Sequence, residues 1–210
     1  MALSNAGTWR SSQMSAPRLR VRSVFISDVH LGSRDCRAEE LLEFLQLVQA
    51  DQLIMVGDII EVWSLRRCFY WPESHNEVLR AISAKARSGT RVIYVPGNHD
   101  EDLRAFVGAE FVSVQLLREF VHRSADGRRW LVLHGDEFDG VVRCSPWLST
   151  LGSIAYDVAL DGVVYCNDGD WVESCTAVVE NIDGRMQLLD WRRYRPEASA
   201  VAQIRTRAAA

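Results

Sequence analysis

A chain of 210 residues, 48% apolar and 25% charged, has enough length for one domain with a substantial core and enough polarity to fold in water. Its formal net charge of −4 gives no whole-chain argument for nucleic-acid binding, and no apolar run is long enough to span a bilayer. The five cysteines, Cys36, Cys68, Cys144, Cys166 and Cys175, are odd in number and scattered without a CxxC pair. That argues against a disulfide framework or a cysteine-ligated zinc and for reduced thiols in the cytoplasm.

Residues 1–20 are rich in Ser, Ala and Arg, with no acidic residue and no apolar stretch of the signal-peptide kind, and read as a disordered leader. Residues 21–27 read as a buried strand. Residues 37–49 place Leu41, Leu42, Leu45 and Val48 at helical spacing. Residues 53–56 form a short apolar strand, and residues 62–72 an aromatic and basic loop. A helix over 74–87 follows, with Ser74 as N-cap, Glu77 completing a capping box and Gly89 ending it. Residues 91–95 read as a strand stopping at Pro96, and 100–107 as a short helix. Strands are expected at 111–115, 119–123 and 129–133, with Ser124–Ala125–Asp126–Gly127 as the turn between the last two.

Residues 146–160 carry Trp147, Leu151, Ile154 and Val158 on one helical face, which suits a core-facing helix better than a lid over an apolar substrate. Strands at 162–167, 172–180 and 185–191 close the domain, with a turn at Asn181–Ile182–Asp183–Gly184. Residues 192–210 read as a flexible, basic, alanine-rich tail. A βαβαβ start followed by a hairpin-rich half predicts an α/β fold of two sheets with helices outside them, occupying residues 21–191.

Four of the apolar segments end on oxygen and nitrogen donors, where open α/β sheets place their sites. The first delivers Asp28 and His30, which alternate onto one side of an extended backbone. The others deliver Gly57–Asp58–Ile59–Ile60–Glu61, Gly97–Asn98–His99–Asp100 and His134–Gly135–Asp136. Asp28, His30, Asp58, Asn98 and His134 supply the mixture that divalent metals activating water for phosphate chemistry require. One shared carboxylate can hold two such metals about 3.5–4 Å apart. His99 has no need to ligate and can protonate a leaving oxygen. Turn duty explains Asp58 and Asn98 beside their glycines, but not the histidines. Arg66 and Arg67 suit bidentate phosphate binding and, equally, a solvated loop. Glu61 reads as an orienting carboxylate or a surface charge. Trp63, Tyr70 and Trp71 read as packing, His75 and His122 as ordinary residues, and Asp136 and Asp139 as loop-shaping.

The order D-x-H, G-D-x-x-E, G-N-H-[DE] and H-G-D, running from Val24 to Asp139, resembles the calcineurin-like metallophosphoesterases. The resemblance implies an αββα two-sheet sandwich with two divalent ions, manganese being the expected metal. It gives Asp28 and His30 to the first ion, Asp58 to the bridge, Asn98 and His134 to the second ion, and His99 to catalysis through a metal-bridging hydroxide. The run from Asp58 to Trp63, Tyr70–Trp71–Pro72 and the stretch from Asn167 to Glu173 are similar to the UDP-2,3-diacylglucosamine pyrophosphatase branch. That branch implies cleavage of a lipid-linked sugar nucleotide in lipid A biosynthesis, in the cytoplasm and at the membrane surface.

Two departures accompany the resemblance. The family carries a Gly-His-x-His hairpin after the third motif, yet none of the five histidines here lies after His134, and most of the lid segment is missing near residue 160. Asp168 and Asp170, expected on one strand face, are the minor alternative source of ligands. The branch carries Arg where this chain has His99. The alternatives are therefore a general phosphoesterase acting on a soluble substrate, or a remnant impaired by two lost ligands.

Overall fold

The structure, a computed structural model, describes residues 19–111, 113–136, 158–160 and 163–194. Strand β1 (Leu19–Ile26) already contains Leu19 and Arg20, ahead of the expected start. Helix α1 (Ala38–Leu47) buries Ala38, Leu41, Phe44 and Leu45 along one stripe. It ends at Leu47 rather than 49 because Val48 turns extended (φ −91°, ψ 127°) and pairs with Leu19. Strand β2 (Val48–Val56) therefore begins at Val48, not at 53: pairing with β1 captures residues whose spacing alone reads as helix.

The expected loop 62–72 contains a short helix, α2 (Val62–Arg67), started by the Glu61 carboxylate, which accepts the Ser64 amide at 3.1 Å. Helix α3 (Glu73–Arg87) starts one residue before the expected Ser74, with extended Pro72 in the capping position. No capping box forms there, since the first turn already includes Ser74. Its buried stripe is His75, Val78, Ile82 and Ala86, and Gly89 ends it in the left-handed region (φ +99°).

Strand β3 (Arg91–Val95) matches its expected bounds, and a 3-10 turn occupies Glu101–Phe106. The single strand expected at 111–115 is instead a tight hairpin of β4 (Glu110–Phe111) and β5 (Val114–Leu116), reversed at Ser113 with φ +63°. Strands β6 (Phe120–Arg123) and β7 (Arg129–Val132) form the expected hairpin, in which the Gly127 amide donates to the Ser124 carbonyl at 2.9 Å.

Residues 158–160, expected to end a helix, form β8 (Val158–Leu160), paired antiparallel with β9 (Val163–Tyr165). The rest of the 146–160 expectation lies outside the described residues, as do 1–18 and 195–210. Strands β10 (Thr176–Glu180) and β11 (Met186–Asp190) follow, then the single turn α4 (Trp191–Tyr194). Residues 171–174 form a turn rather than strand, because the Asp170 carboxylate accepts the amides of Val172, Glu173 and Ser174 at 2.9, 2.5 and 3.0 Å.

The fold is mixed α/β, with a central sheet in the order β11-β10-β1-β2-β3-β5-β4 and, among the described residues, two small sheets, β6–β7 and β8–β9. Strands β1, β2 and β3 run parallel side by side, while β10 lies antiparallel on the other flank of β1. Side chains alternate along these strands, and both faces are buried, which explains the unbroken apolar runs. Val24, Ile26, Leu53, Met55, Val92 and Tyr94 face α1 and α3, with Phe44, Trp171 and Trp191. Phe25, Ile54, Val56, Ile93 and Val95 face the opposite way, toward Val132 of β7 and Phe120 of β6. The parallel strands thus end together on one rim, and β7 brings its own end to the same place.

Candidate metal centre

Three neighbouring loops leave that rim, and backbone hydrogen bonds sew them together. The Gly57 amide donates to Val95 O (2.7 Å), the Asp28 amide to Gly57 O (3.2 Å), and the His30 and Leu31 amides to Asp58 O and Ile59 O (both 2.9 Å). To fit, Asp28, His30 and Asp58 take left-handed backbone at φ +49°, +54° and +54°. Such conformations cost free energy in non-glycine residues and concentrate where a site needs them.

Asp100 holds the loops from beneath. Fully buried, it accepts the amides of Ile59 (2.8 Å), Ile60 (3.2 Å) and Gly97 (2.6 Å) and the Tyr94 hydroxyl. Two glycines make the close approach possible. A Cβ on Gly57 would stand 2.0 Å from His134 Nδ1, and one on Gly97 would stand 2.3 Å from Asp58 Oδ1.

Around buried Asp58 three imidazoles converge. His134 Nε2 lies 3.4 Å from Asp58 Oδ2 and 3.2 Å from Asn98 Oδ1. His99 Nε2 lies 3.9 Å from Asp58 Oδ2, and His30 Nε2 lies 3.8 Å from Asp28 Oδ1. Two overlapping groups result, His30–Asp58–His99 and Asp28–Asp58–His134, each with donor atoms within 4.8 Å of one another. The expected Asp28, His30, Asp58, Asn98 and His134 are thus brought together, with His99 among them.

The far nitrogen of two of the rings is also held. Glu61 Oε2 pairs with His30 Nδ1 at 2.9 Å and His134 Nδ1 faces the Val56 carbonyl at 3.2 Å, while His99 Nδ1, 2.7 Å from Glu61 Oε2, lies outside hydrogen-bonding geometry. An acceptor opposite Nδ1 keeps the proton there and leaves the Nε2 lone pair for a cation. The Trp63 ring packs over His99, 4.2 Å between centroids.

These surroundings fit divalent cations. Both oxygens near His134 Nε2 are acceptors, so a proton or a metal belongs among them. Burial disfavours the charged ring, but the hydrogen bond and charge of Asp58, with the charge of Asp28, overcome it and push His134 up to about 9. Burial likewise opposes protonation of His30, and the carboxylates of Asp28, Glu61 and Asp58 raise it nonetheless. Burial alone would raise Asp58, yet its contacts to His134 and the His99 amide hold it below the usual carboxylate range. Glu61 is lowered too, with burial outweighed by the Ser64 amide and His30.

A cavity of about 360 Å³ opens onto the cluster, lined by Asp28, His30, Ser33, Asp35, Glu61, Asp170, Val172 and Glu173. Arg66 and Arg67 are not in this lining. They sit in the last turn of α2, where Arg66 pairs with Asp102 at 2.5 Å on the open surface. Nor do Asp168 and Asp170 share a strand face as expected. Asp170 is occupied by its own turn, with Oδ2 accepting Ser174 Oγ at 2.8 Å. Asp168 Oδ1 accepts Ser27 Oγ at 3.0 Å, and burial pushes its carboxyl up to about 7. Asp136 pairs with Arg104 at 2.7 Å, and Asp139 lies outside the described residues. His75 and His122 are buried in structural contacts, His75 Nδ1 accepting the Gly32 amide and His122 Nε2 meeting Glu180.

Carboxylate, imidazole and amide donors gathered past the ends of parallel strands define a hydrolase of the metallophosphoesterase class. Residues 21–189 match the calcineurin-like phosphoesterase family, and the chain belongs to it. A protein of Psychromonas ingrahamii named UDP-2,3-diacylglucosamine hydrolase is 31% identical over 125 residues, covering 55% of this chain and 48% of that protein. One of the same name from Xanthomonas campestris pv. campestris is 31% identical over 121 residues, covering 54% and 46%. The chain spans about half the length of the curated relatives it matches. Among the described residues no helix is long and apolar enough to cross a membrane.

Proposed function

We propose that the chain is a phosphoanhydride hydrolase acting on UDP-2,3-diacylglucosamine or a closely similar lipid-linked sugar nucleotide, with residues 21–191 as its catalytic unit. The observation that carries this reading is a pair of overlapping donor groups, His30–Asp58–His99 and Asp28–Asp58–His134, that share Asp58 on one rim of the sheet. Asp28 and His30 would hold one divalent ion and Asn98 and His134 a second, with Asp58 available to both, and manganese is the proposed metal. Ions held there would acidify a water near neutral pH and neutralise charge developing on phosphoryl oxygens.

The remaining steps belong to the chain itself. Glu61 fixes the tautomer of His30, and the proposed role of His99 is to donate a proton from Nε2 to the leaving oxygen. Trp63 excludes water from one side of that ring. Arg66 reaches phosphate only if its exposed pair with Asp102 opens. The two relatives named as hydrolases of this sugar nucleotide support the substrate. The proposed place of action is the cytoplasmic face of the membrane that carries the lipid.

A second reading, a general phosphoesterase for soluble substrates, rests on His99 standing where the pyrophosphatase branch has Arg. One assay separates the two. Purified protein with manganese is given the lipid nucleotide and, separately, an aryl phosphate, with Asp58→Ala as control. Release of UMP abolished in the variant supports the first reading. Turnover of the aryl phosphate alone supports the second, and no turnover of either refutes both.

A further inference from the structure

Given that metals bind at Asp58, we infer that His99 Nε2 is itself a metal ligand in the resting protein, completing a centre with Asp28, His30 and Asp58. Four observations converge on this. His30, Asp58 and His99 bring one donor atom each within 4.8 Å of one another, as tightly as Asp28, Asp58 and His134 do. The His99 and His30 rings meet edge to face, 4.8 Å between centroids at 89°, so both Nε2 atoms reach the same space from different directions. One carboxylate oxygen, Glu61 Oε2, stands 2.9 Å from His30 Nδ1 and 2.7 Å from His99 Nδ1. The first contact is the arrangement by which carboxylates orient imidazole ligands; the second is a close approach outside hydrogen-bonding geometry that still brings the His99 ring against the same carboxylate. Finally, the His99 amide donates to Asp58 Oδ1 at 2.9 Å and Trp63 covers the ring, so backbone and ring are fixed relative to the carboxylate they would share.

Ligation and proton transfer use the same nitrogen and exclude each other at any moment. His99 thus serves the resting centre as a ligand and the leaving oxygen only once released. This gives the first ion two imidazoles and two carboxylates from the chain's own strand-end loops, without a histidine after residue 134. Such a set suits manganese, iron or zinc better than magnesium, which prefers oxygen donors and retained waters.

The test is made on the full chain without substrate. Metal-free protein is titrated with Co²⁺, following the visible spectrum and the dissociation constants by calorimetry, for the wild type, His99→Gln and Asp58→Ala. The expected result is a loss of tenfold or more in affinity at one of two sites in His99→Gln, with an altered visible spectrum. Wild-type affinities and spectrum in His99→Gln, alongside weakened binding in Asp58→Ala, would overturn the ligand assignment and leave the proposed function intact. Unchanged binding in Asp58→Ala would remove the metal site on which both rest. If His99→Gln does not fold, the wild type loaded with ¹¹³Cd decides. Cadmium–nitrogen coupling at His99 Nε2 supports the assignment, and coupling only at His30 and His134 refutes it.

Discussion

Replacing Glu61 with Gln exchanges one carboxylate oxygen for an NH₂ group at nearly constant shape. Glu61 uses its two oxygens for different tasks: Oε1 accepts the Ser64 amide at the start of α2, and Oε2 faces Nδ1 of His30 and His99. A glutamine keeping its carbonyl on Ser64 presents an N–H group to the His30 ring. A ring facing an N–H donor must accept at Nδ1, which moves its proton to Nε2, the atom directed at the metal space. Losing a carboxylate behind a ligating histidine typically costs ten- to a hundredfold in metal affinity, or about 1.4–2.7 kcal/mol. The assay is calorimetric titration of metal-free Glu61→Gln with Mn²⁺, with a thermal melt of the metal-free protein beside it. The melt should barely move, because the helix start is retained. Glu61→Ala should lose about 1 kcal/mol more through the missing cap. Because the Glu61 carboxyl is held below the usual range, the difference from wild type should persist above that range. It should shrink as acid protonates Glu61 in the wild type. Wild-type manganese affinity in a well-folded Glu61→Gln would refute the claim that this carboxylate sets the His30 tautomer.

Three further outcomes follow from the geometry. His134 is pushed up to about 9, so a metal must displace a proton from it at neutral pH; affinity should rise with pH up to about 9, by as much as tenfold per pH unit for that one proton, with proton release measurable in weakly buffered calorimetry. Gly97→Ala forces a Cβ to within 2.3 Å of Asp58 Oδ1 and 2.7 Å of His134 Cδ2; it should lower stability by about 1–3 kcal/mol and strip bound metal, read by melting and metal analysis. Glu180 is fully buried and accepts Ser23 Oγ and the Ala125 amide (both 2.7 Å), Arg22 (2.5 Å) and His122 Nε2 (2.8 Å); Glu180→Ala should cost about 3–5 kcal/mol by denaturant melt, with metal affinity of the folded fraction unchanged. Burial would raise the Glu180 carboxyl, but these donors hold it low, so its stabilisation is complete above the normal carboxylate range. It is lost as pH falls through the lowered value, and Glu180→Ala should show no such loss.

The ligand-bearing loops were legible because each is a short motif fixed to the end of an apolar strand, and parallel neighbours bring those ends together. Asp28, His30, Asp58, Asn98 and His134 needed no knowledge of the helices. Glu61 was visible only as one of two possibilities. Its role depends on α2, a single turn and a half with no periodicity of its own, in a stretch that reads as loop. The stacking of Trp63 on His99 depends on the same helix. Asp100 closes a named motif, yet its four partners lie on two segments, 59–60 and 94–97, and spacing does not disclose the first. The start of β2 was misplaced for a related reason: Val48 carries helical spacing from α1, and only its pairing with Leu19 decides otherwise. Local pattern located the donors, and tertiary pairing decided how they are aimed.

The loop carrying Asp28 is fastened by residues far along the chain. The Trp171 amide donates to Asp28 O at 3.0 Å, the Arg37 amide donates to Trp171 O at 2.8 Å, and Ser27 Oγ reaches Asp168 across 141 positions. During synthesis, β1, β2 and β3 emerge long before these partners exist, and loop closure across such a span is slow. A nascent chain that stops short of Thr176 leaves β1 unpaired on the flank that β10 covers, an open edge available to other chains. Competence to bind metal therefore arrives only with the last strands. Until then the uncovered edge of β1 can pair with another copy of the chain.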